Sequence, residues 1–263
     1  MTEEQKKYIE KNIELIKSNE WKEFLSNSNA PYGIGGVLYE AGINFMEYVD
    51  FVPTQAFIRN EQLKSINIPE SIKSLGQHCF CNCHNLLHVQ IPDTVMFIAN
   101  GAFSGCSSLK DIVIPNSVIS IQDEVFYGCS NLTSATLGGG IQTLSYGVFW
   151  HCSNLINVTL SEGLTEIEDF AFCACRKLRS IVLPETLTTI GRCAFSDCDS
   201  LESIHIPSSV TKVGSNAFTE LNHLNIEYTG TVSEWRQLKL NSKAFKNTTY
   251  TCKCTDGIVK KSK

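Results

Sequence analysis

The chain has 263 residues, a net charge of -5 at pH 7 and a pI near 5.7. Lysine and arginine are scattered apart from Lys260, Lys261 and Lys263, so this acidic balance does not favour a polyanion-binding surface, and we expect no nucleic-acid partner. A hydrophobic content of 43% is typical of a folded chain with a core, and no apolar run approaches the ~18 residues of a membrane span.

The N-terminal segment is charged and amphipathic, which predicts a helix from Thr2 to Ser26. Its apolar face contains Ile9, Ile13, Ile16 and Leu25. We expect residues 1–44 to form a helical N-terminal cap, and the glycine-rich "GIGG" at 33–36 to be a loop, since no strand precedes it and no lysine follows at P-loop spacing.

The same segment lacks the apolar core and cleavage site of a secretory leader. The sequence as written therefore predicts a cytoplasmic protein. If a leader has been removed from its N-terminus, the cell surface or secretion is expected instead.

A repeat of 23 residues occupies the middle of the chain. A leucine stands six residues after each anchoring phenylalanine, and a cysteine stands three residues after six of them, so this one position holds half of the 12 cysteines. The anchors are Phe57, Phe80, Phe103, Phe126, Phe149, Phe172, Phe195 and Phe218.

Each unit, such as "LKDIVIPNSVISIQDEVFYGCSN", has two halves. The first half alternates apolar and variable residues and ends at a proline, which is typical of a short strand. The second half indicates an irregular or short helical return. One such coil cannot bury its apolar side alone, so the units must stack, and we expect a solenoid over residues 45–224.

The pattern "IPxSVxxIxxxAFxxCxxL", nearly complete in "IPDTVMFIANGAFSGCSSL" and "LPETLTTIGRCAFSDCDSL", resembles the BspA-like leucine-rich repeats of bacterial and protist surface proteins. The resemblance covers roughly residues 45–257. It implies an α/β repeat fold, a right-handed leucine-rich-repeat solenoid, and a role in adhesion or protein binding without shared catalytic residues.

The C-terminal segment "IEYTGTVSEWRQLKL" through "CTDG" resembles the closing unit of such proteins. We expect residues 225–263 to form a C-terminal cap and tail. The side chains expected to cover the last repeat are Trp235, Leu238, Leu240 and Phe245.

The repeated cysteines have two possible roles: disulfide or metal chemistry, or a buried row of small apolar side chains. Parallel side chains in register are poorly placed for the torsion of a disulfide, and free cysteine is among the most buried residue types, so the register favours the core. The members of this row are Cys83, Cys106, Cys129, Cys152, Cys175 and Cys198.

The stretch "QHCFCNCHNLLH" at 77–88 concentrates ligands that zinc prefers. The repeat register nevertheless predicts that Cys79 and Cys83 point into the core, while Cys81 is exposed among variable positions. The stretch also contains His78, His84 and His88. Because these groups are not expected to converge, we predict no metal site.

The remaining motifs do not indicate a metal site or a catalytic site. Cys252 and Cys254 form a lone C-x-C, which we interpret as surface or cap residues, because two thiolates are too few for a structural zinc. The sequence contains no recognisable Ser/His/Asp or Cys/His catalytic arrangement, so we expect no enzymatic activity, no catalytic residue and no cofactor.

Two surfaces are candidates for a partner. The variable strand positions line one face, on which we expect contacts from His88, Gln90, Asp111, Asn157 and His205; a plain solvated face is the alternative. The second surface is aromatic: Tyr127 and Trp150 share one exposed repeat position on consecutive units, with Tyr146 and Phe170 nearby. Local repacking around "LGGGIQTLSYGVFWHC" is the alternative there.

The leading prediction is a non-enzymatic module that binds a protein through the strand face or the aromatic patch, with a glycan as a possible ligand. Two alternatives stay open. One is a bacterial surface adhesin whose leader is missing. The other is an inhibitor of a host protein carried by a phage or mobile element.

Overall fold

The computed structural model describes residues 2–12 and 33–262. Helix α1 spans Glu3–Lys11, helix α2 spans Ile34–Glu40, a 3-10 turn spans Phe45–Tyr48, and helix α3 spans Val232–Gln237. Ile13, Ile16 and Leu25 of the predicted N-terminal helix lie outside the described residues. The helical cap over residues 1–44 and the right-handedness of the solenoid stay predictions.

The repeats form a parallel β-solenoid of about nine turns. We number the units 1 to 8 by their anchoring phenylalanines, from Phe57 to Phe218, and each unit from the second to the eighth contributes a first strand and a return strand. The first strands are β2 (Ser65–Asn67), β4 (His88–Gln90), β6 (Asp111–Ile114), β8 (Ser134–Leu137), β10 (Asn157–Thr159), β12 (Ser180–Val182) and β14 (Ser203–Ile206).

The return half of each unit is built of turns and a two-residue strand. The return strands are β1 (Phe51–Val52), β3 (Ser74–Leu75), β5 (Phe97–Ile98), β7 (Ser120–Ile121), β9 (Thr143–Leu144), β11 (Glu166–Ile167), β13 (Thr189–Ile190), β15 (Lys212–Val213) and β17 (Lys239–Leu240). The described helices therefore lie before and after the repeats.

Strand pairing keeps the 23-residue register. In β6, β8 and β10, Asp111 pairs with Ser134 and Ser134 with Asn157. Among the described first strands the hydrogen-bonded ladder is interrupted between β4 and β6 and between β10 and β12. Outward and inward side chains alternate as the sequence predicts, for example in the exposed and buried pattern of β6.

A column of stacked phenylalanine rings runs through the core. Ring centroids of neighbours lie between 5.0 and 5.8 Å apart, within the range of favourable aromatic pairs. The eight predicted anchors are all in this column, and Phe45 and Phe245 extend it at its two ends.

The cysteine row is buried, as predicted, and it also has a polar role. Each thiol donates to the carbonyl oxygen of the phenylalanine 26 residues earlier, as Cys106 does to Phe80 at 3.1 Å. The equivalent bonds are made by Cys83, Cys129, Cys152, Cys175 and Cys198. All twelve cysteines are free, and burial raises the pKa of Cys83 to about 12, which keeps this thiol protonated and able to donate.

A second column of side-chain hydrogen bonds joins the turns after the first strands. The hydroxyl of Ser117 donates to the carbonyl oxygen of Val95 at 2.7 Å, and Thr94, Thr186 and Ser209 make equivalent bonds to the residue 22 positions earlier. At the start of the column, Ser71 donates to the carbonyl oxygen of Met46. Units 5 and 6 have glycine at this position, at 140 and 163. The column is therefore interrupted in the middle of the solenoid.

The first unit packs against α2. The backbone N–H groups of Gly33 and Gly36 donate to the carbonyl oxygens of Gln55 and Ala56. The prediction that 33–36 is a loop is wrong for its last three residues, because Ile34 begins α2. A Cβ at Gly35 would lie 2.9 Å from the Cβ of Ala56, so this helix needs glycine for its close approach.

The C-terminal end is closed by a ninth, longer unit. Strand β16 (His223–Tyr228) pairs with β18 (Thr249–Cys254), which pairs antiparallel with β19 (Gly257–Lys261). Trp235 of α3 is 2% exposed and packs edge-on against Tyr228 and Tyr250. Leu238 and Leu240 pack against the core, partly buried.

Of the two interpretations of the C-x-C pair, surface residues or cap residues, the first is wrong. Cys252 and Cys254 point to the same side of β18 and are 0% and 6% exposed. Their Sγ atoms lie 3.8 Å apart. The alternation of a strand places both thiols in the interior of the closing unit.

Candidate functional site

The strand face is formed by the outward side chains of the first strands. His88, Gln90, Asp111 and Asn157 are exposed there, and His205 is half-buried. The ring of His88 lies 3.6 Å from a carboxylate oxygen of Asp111. The register therefore brings predicted contact residues of neighbouring strands together on this face.

His205 sits between two carboxylates on the same face. Its Nε2 lies 3.4 Å from Glu185 and its Nδ1 lies 3.7 Å from Glu227. The large apolar side chains of the face are Val113 and Val182, which are 62% and 69% exposed. They lie three units apart, so they do not form one patch.

The second surface is a cluster that we call the aromatic ridge: Tyr127, Tyr146, Trp150, His151 and Phe170, with Arg192 at one end. Trp150 stacks on Phe170 with centroids 5.0 Å apart and on His151 at 5.5 Å. Tyr127 and Tyr146 meet the Trp150 ring edge-on at 5.4 and 6.1 Å. The four predicted aromatic residues thus form one cluster around Trp150, in which Tyr146 also contacts Phe170.

The rings of the ridge are less exposed than predicted. Tyr127, Tyr146, Trp150 and Phe170 are half-buried, because each ring covers part of its neighbour. Gly147 lies against this cluster, since a Cβ there would be 3.5 Å from the Trp150 ring. The exposed position proposed for Cys81 is also half-buried, and Cys173 at the same repeat position is buried.

Two members of the ridge were missed by the sequence prediction. His151 follows Trp150 directly, and Arg192 comes from unit 7. The Cζ atom of Arg192 lies 4.9 Å from the Phe170 centroid. A tabulation of the repeat would have found Arg192, because it stands three residues before its anchor, at the position of Tyr146 and Asp169 in units 5 and 6.

Carboxylates flank the ridge. Arg192 pairs with Asp169 at 3.3 Å, and a carboxylate oxygen of Glu168 accepts from the backbone N–H of Tyr146 at 2.9 Å. Burial raises the pKa of Glu168, and the nearby charges of Asp123, Glu166 and Asp169 raise it further. A groove of about 420 Å³ lies beside Tyr146, lined in part by Glu166, Glu168 and Arg192.

A further exposed apolar group was also missed. Met96 and Ile119, at the same repeat position of units 3 and 4, are 39% and 52% exposed, and Phe97 beside them is 46% exposed. Phe97 lies on return strand β5, and Met96 and Ile119 directly precede β5 and β7. The sequence prediction did not consider the variable positions of the return half. Comparing hydropathy at each repeat position would have revealed them.

The cysteine- and histidine-rich stretch is split between different environments. Cys79 and Cys83 are fully buried, and His88 belongs to the strand face. His84 contacts the carbonyl oxygen of Gly105, and His78 that of Gly101. Within residues 2–12 and 33–262, no group of three or more histidine, cysteine or acidic side chains is arranged to hold a metal ion.

No helix in the described parts of the chain is both long and apolar enough to cross a membrane. This concerns the helices of residues 2–12 and 33–262 alone.

The sequence model of the BspA type leucine-rich repeat region matches six copies over residues 50–169 and 142–255. The chain belongs to this family. BspA-type repeat proteins are generally non-enzymatic scaffolds, and the family is consistent with a protein-binding module.

Solved structures of bacterial leucine-rich repeat proteins resemble the chain. A leucine-rich repeat protein from Eubacterium ventriosum is 29% identical with a TM-score of 0.60, and the match covers 65% of this chain and 46% of that one. The chain thus spans less than half the length of that protein.

A leucine-rich repeat protein from Bacteroides ovatus is 24% identical with a TM-score of 0.43, covering 72% of this chain and 66% of that one. One from T. pallidum is 29% identical with a TM-score of 0.42, covering 53% and 72%. No curated protein sequence matches the chain.

Proposed function

We propose that this BspA-type protein is a non-enzymatic module that binds a partner protein on the aromatic ridge. The observation that carries the proposal is the contact of four large rings from three successive units at one surface. At the position of Tyr127 and Trp150, other units carry Ser104, Ser196 or Thr219. The solenoid therefore does not require aromatic residues there.

The composition of the ridge suits a binding surface. Tryptophan, tyrosine and arginine are the residues most enriched where protein interfaces gain their affinity, and such residues cluster in well-packed, partly preformed sites. Because the rings already support one another, little side-chain freedom is lost on binding. A rigid ridge of this kind can insert into a groove of a partner.

The strand face has fewer features of a protein-binding surface than the aromatic ridge. Its outward residues are small or polar, and Val113 and Val182 stand apart from each other. Singly exposed apolar residues are ordinary on protein surfaces and indicate no interface by themselves. The strand face is therefore the alternative binding surface, and the experiment below distinguishes it from the ridge.

Affinity chromatography with four immobilised forms tests the proposal: the wild type, Tyr127→Ala, Trp150→Ala, and the strand-face variant Val113→Ser with Val182→Ser. We expect a partner retained by the wild type and the strand-face variant to be lost from both ridge variants. Thermal unfolding of each form controls for folding. Loss from the strand-face variant alone would assign binding to the other face and contradict the proposal.

A further inference from the structure

The ridge already holds one cation of its own chain. The guanidinium of Arg192 lies over the Phe170 ring, with Cζ 4.9 Å from the centroid, and its Nε lies 3.3 Å from a carboxylate oxygen of Asp169. Guanidinium groups stack on aromatic faces and pair with carboxylates. This contact therefore shows that the surface can hold a guanidinium group.

Further carboxylates surround the rest of the ridge without such a cation. Asp123 and Glu124 lie on its unit 4 side, and a Cβ at Gly147 would lie 3.4 Å from Glu124 as well as 3.5 Å from Trp150. Glu166 and Glu168 lie on its unit 6 side. Across residues 2–12 and 33–262, no ion pair includes any of these four carboxylates.

We propose that the aromatic ridge binds a cationic segment of the partner protein, whose arginine or lysine side chains stack on the rings and pair with Asp123, Glu124 and Glu166. This inference rests on the proposed function and names the chemistry of the partner. Charge complementarity selects it, because an acidic segment would place like charges against the flanking carboxylates.

The dimensions of the ridge limit the length of the segment. The ridge extends over units 4 to 7, and three spacings of ~4.8 Å between stacked strands give a length of about 14 Å. An extended chain rises roughly 3.3 Å per residue, so four or five residues cover it. Side chains two residues apart face the same side, so alternate cationic residues would reach the ridge.

The experiment measures fluorescence anisotropy of two labelled 12-residue peptides at physiological salt, one of alternating arginine and serine and one of alternating glutamate and serine. The ridge variant is Asp123→Asn, Glu124→Gln and Glu166→Gln together. The matched control is Asp93→Asn, Glu70→Gln and Glu202→Gln, which removes the same three charges at exposed positions outside the ridge.

We expect the wild type to bind the arginine peptide and not the glutamate peptide. The ridge variant should lose at least roughly tenfold in affinity for the arginine peptide, whereas the matched control loses less than about twofold. Equal losses in the two variants would mean that net charge alone attracts the peptide and would overturn the inference. Absence of arginine-peptide binding to the wild type would overturn it as well.

The experiments can contradict this inference without contradicting the proposed function. A partner captured through Tyr127 and Trp150 whose binding is unchanged in the ridge charge variant leaves the proposed function intact and removes the cationic assignment. A partner whose binding is unchanged by the aromatic substitutions and by the charge substitutions contradicts the proposed function and the cationic assignment alike.

Discussion

The Sγ atom of Cys129 donates a hydrogen bond to the carbonyl oxygen of Phe103, with the two atoms 3.2 Å apart. The same oxygen also accepts from the backbone N–H of Cys106 at 3.1 Å. In the closing unit the hydroxyl of Thr248 takes the place of the thiol and donates to Phe218. Units 2 to 7 and the closing unit therefore place a small buried donor at this repeat position, whereas unit 8 has Leu221 there. An apolar side chain of the same size cannot donate this bond.

A pair of isosteric substitutions at Cys129 tests this requirement. Cys129→Thr retains a donor for Phe103, as Thr248 does for Phe218, whereas Cys129→Val replaces it with a methyl group. Despite the greater hydrophobicity of valine, we expect the threonine variant to be more stable by about 1 kcal/mol, the net value of one hydrogen bond. Urea unfolding measures the difference, and a valine variant of equal or greater stability would contradict the donor role.

The two glycines that interrupt the serine and threonine column should respond differently to serine. A Cβ at Gly140 would lie 2.5 Å from the carbonyl oxygen of Val118, so Gly140→Ser should destabilise the fold by about 1–3 kcal/mol through overpacking. At Gly163 the nearest atom is at 3.3 Å, so Gly163→Ser can add the missing bond and gain ~0.5–1 kcal/mol.

Urea midpoints of both variants, compared with the wild type, check this contrast. Similar losses at the two sites would show that the space around Gly163 is not available to a side chain.

Glu168 makes stability depend on pH. Burial raises its pKa in the folded chain, so its ionised form is disfavoured there relative to the unfolded chain, and stability falls as pH rises through the raised pKa. Glu168→Gln removes the charge and keeps an oxygen for the Tyr146 N–H. We expect this variant to melt at a higher temperature than the wild type at pH 7.

The advantage should shrink as pH falls, and it should vanish below about pH 4, where the wild-type carboxyl is protonated in both states. Glu202→Gln, at an exposed position, is the control. Melting curves from pH 3.5 to 8 measure the effect, and an advantage for Glu168→Gln that does not change with pH would show that its charge is irrelevant.

Truncating the centre of the ridge should also reduce stability. Trp150 is half-buried and contacts Tyr127, Tyr146, His151 and Phe170, so Trp150→Ala should cost about 1–3 kcal/mol. A double-mutant cycle with Phe170→Ala should give a coupling of roughly 0.5–1.5 kcal/mol. A coupling near zero in denaturant unfolding would show that the two rings pack independently.

The 23-residue register was sufficient to predict the solenoid, the Phe57 to Phe218 column and the burial of Cys79 and Cys83, because a repeat assigns the same environment to the same position. It was also sufficient to group Tyr127 with Trp150. It did not predict how far those rings are buried, since that depends on their neighbours within the cluster. Gly35, whose helix packs closely on Ala56, lies outside the register and was assigned to a loop.

Local departures from the repeat were harder to interpret. Units 5 and 6 have glycine at positions 140 and 163, and the hydrogen-bonded ladder is interrupted between β10 of unit 6 and β12 of unit 7. The column of serine and threonine hydrogen bonds is interrupted at these two glycines, which the repeat pattern alone did not predict. The ridge lies on the same units, so the irregular part of the repeat and the candidate site coincide.

Site-specific photocrosslinking tests most directly whether a partner docks on the ridge. A benzophenone amino acid is placed at Tyr127 in one form and at Val113 of the strand face in another, and each is irradiated in the cells from which the sequence comes. We expect one discrete crosslinked protein from position 127, absent when Trp150→Ala is added, and none from position 113. Crosslinking from position 113 alone would contradict docking on the ridge.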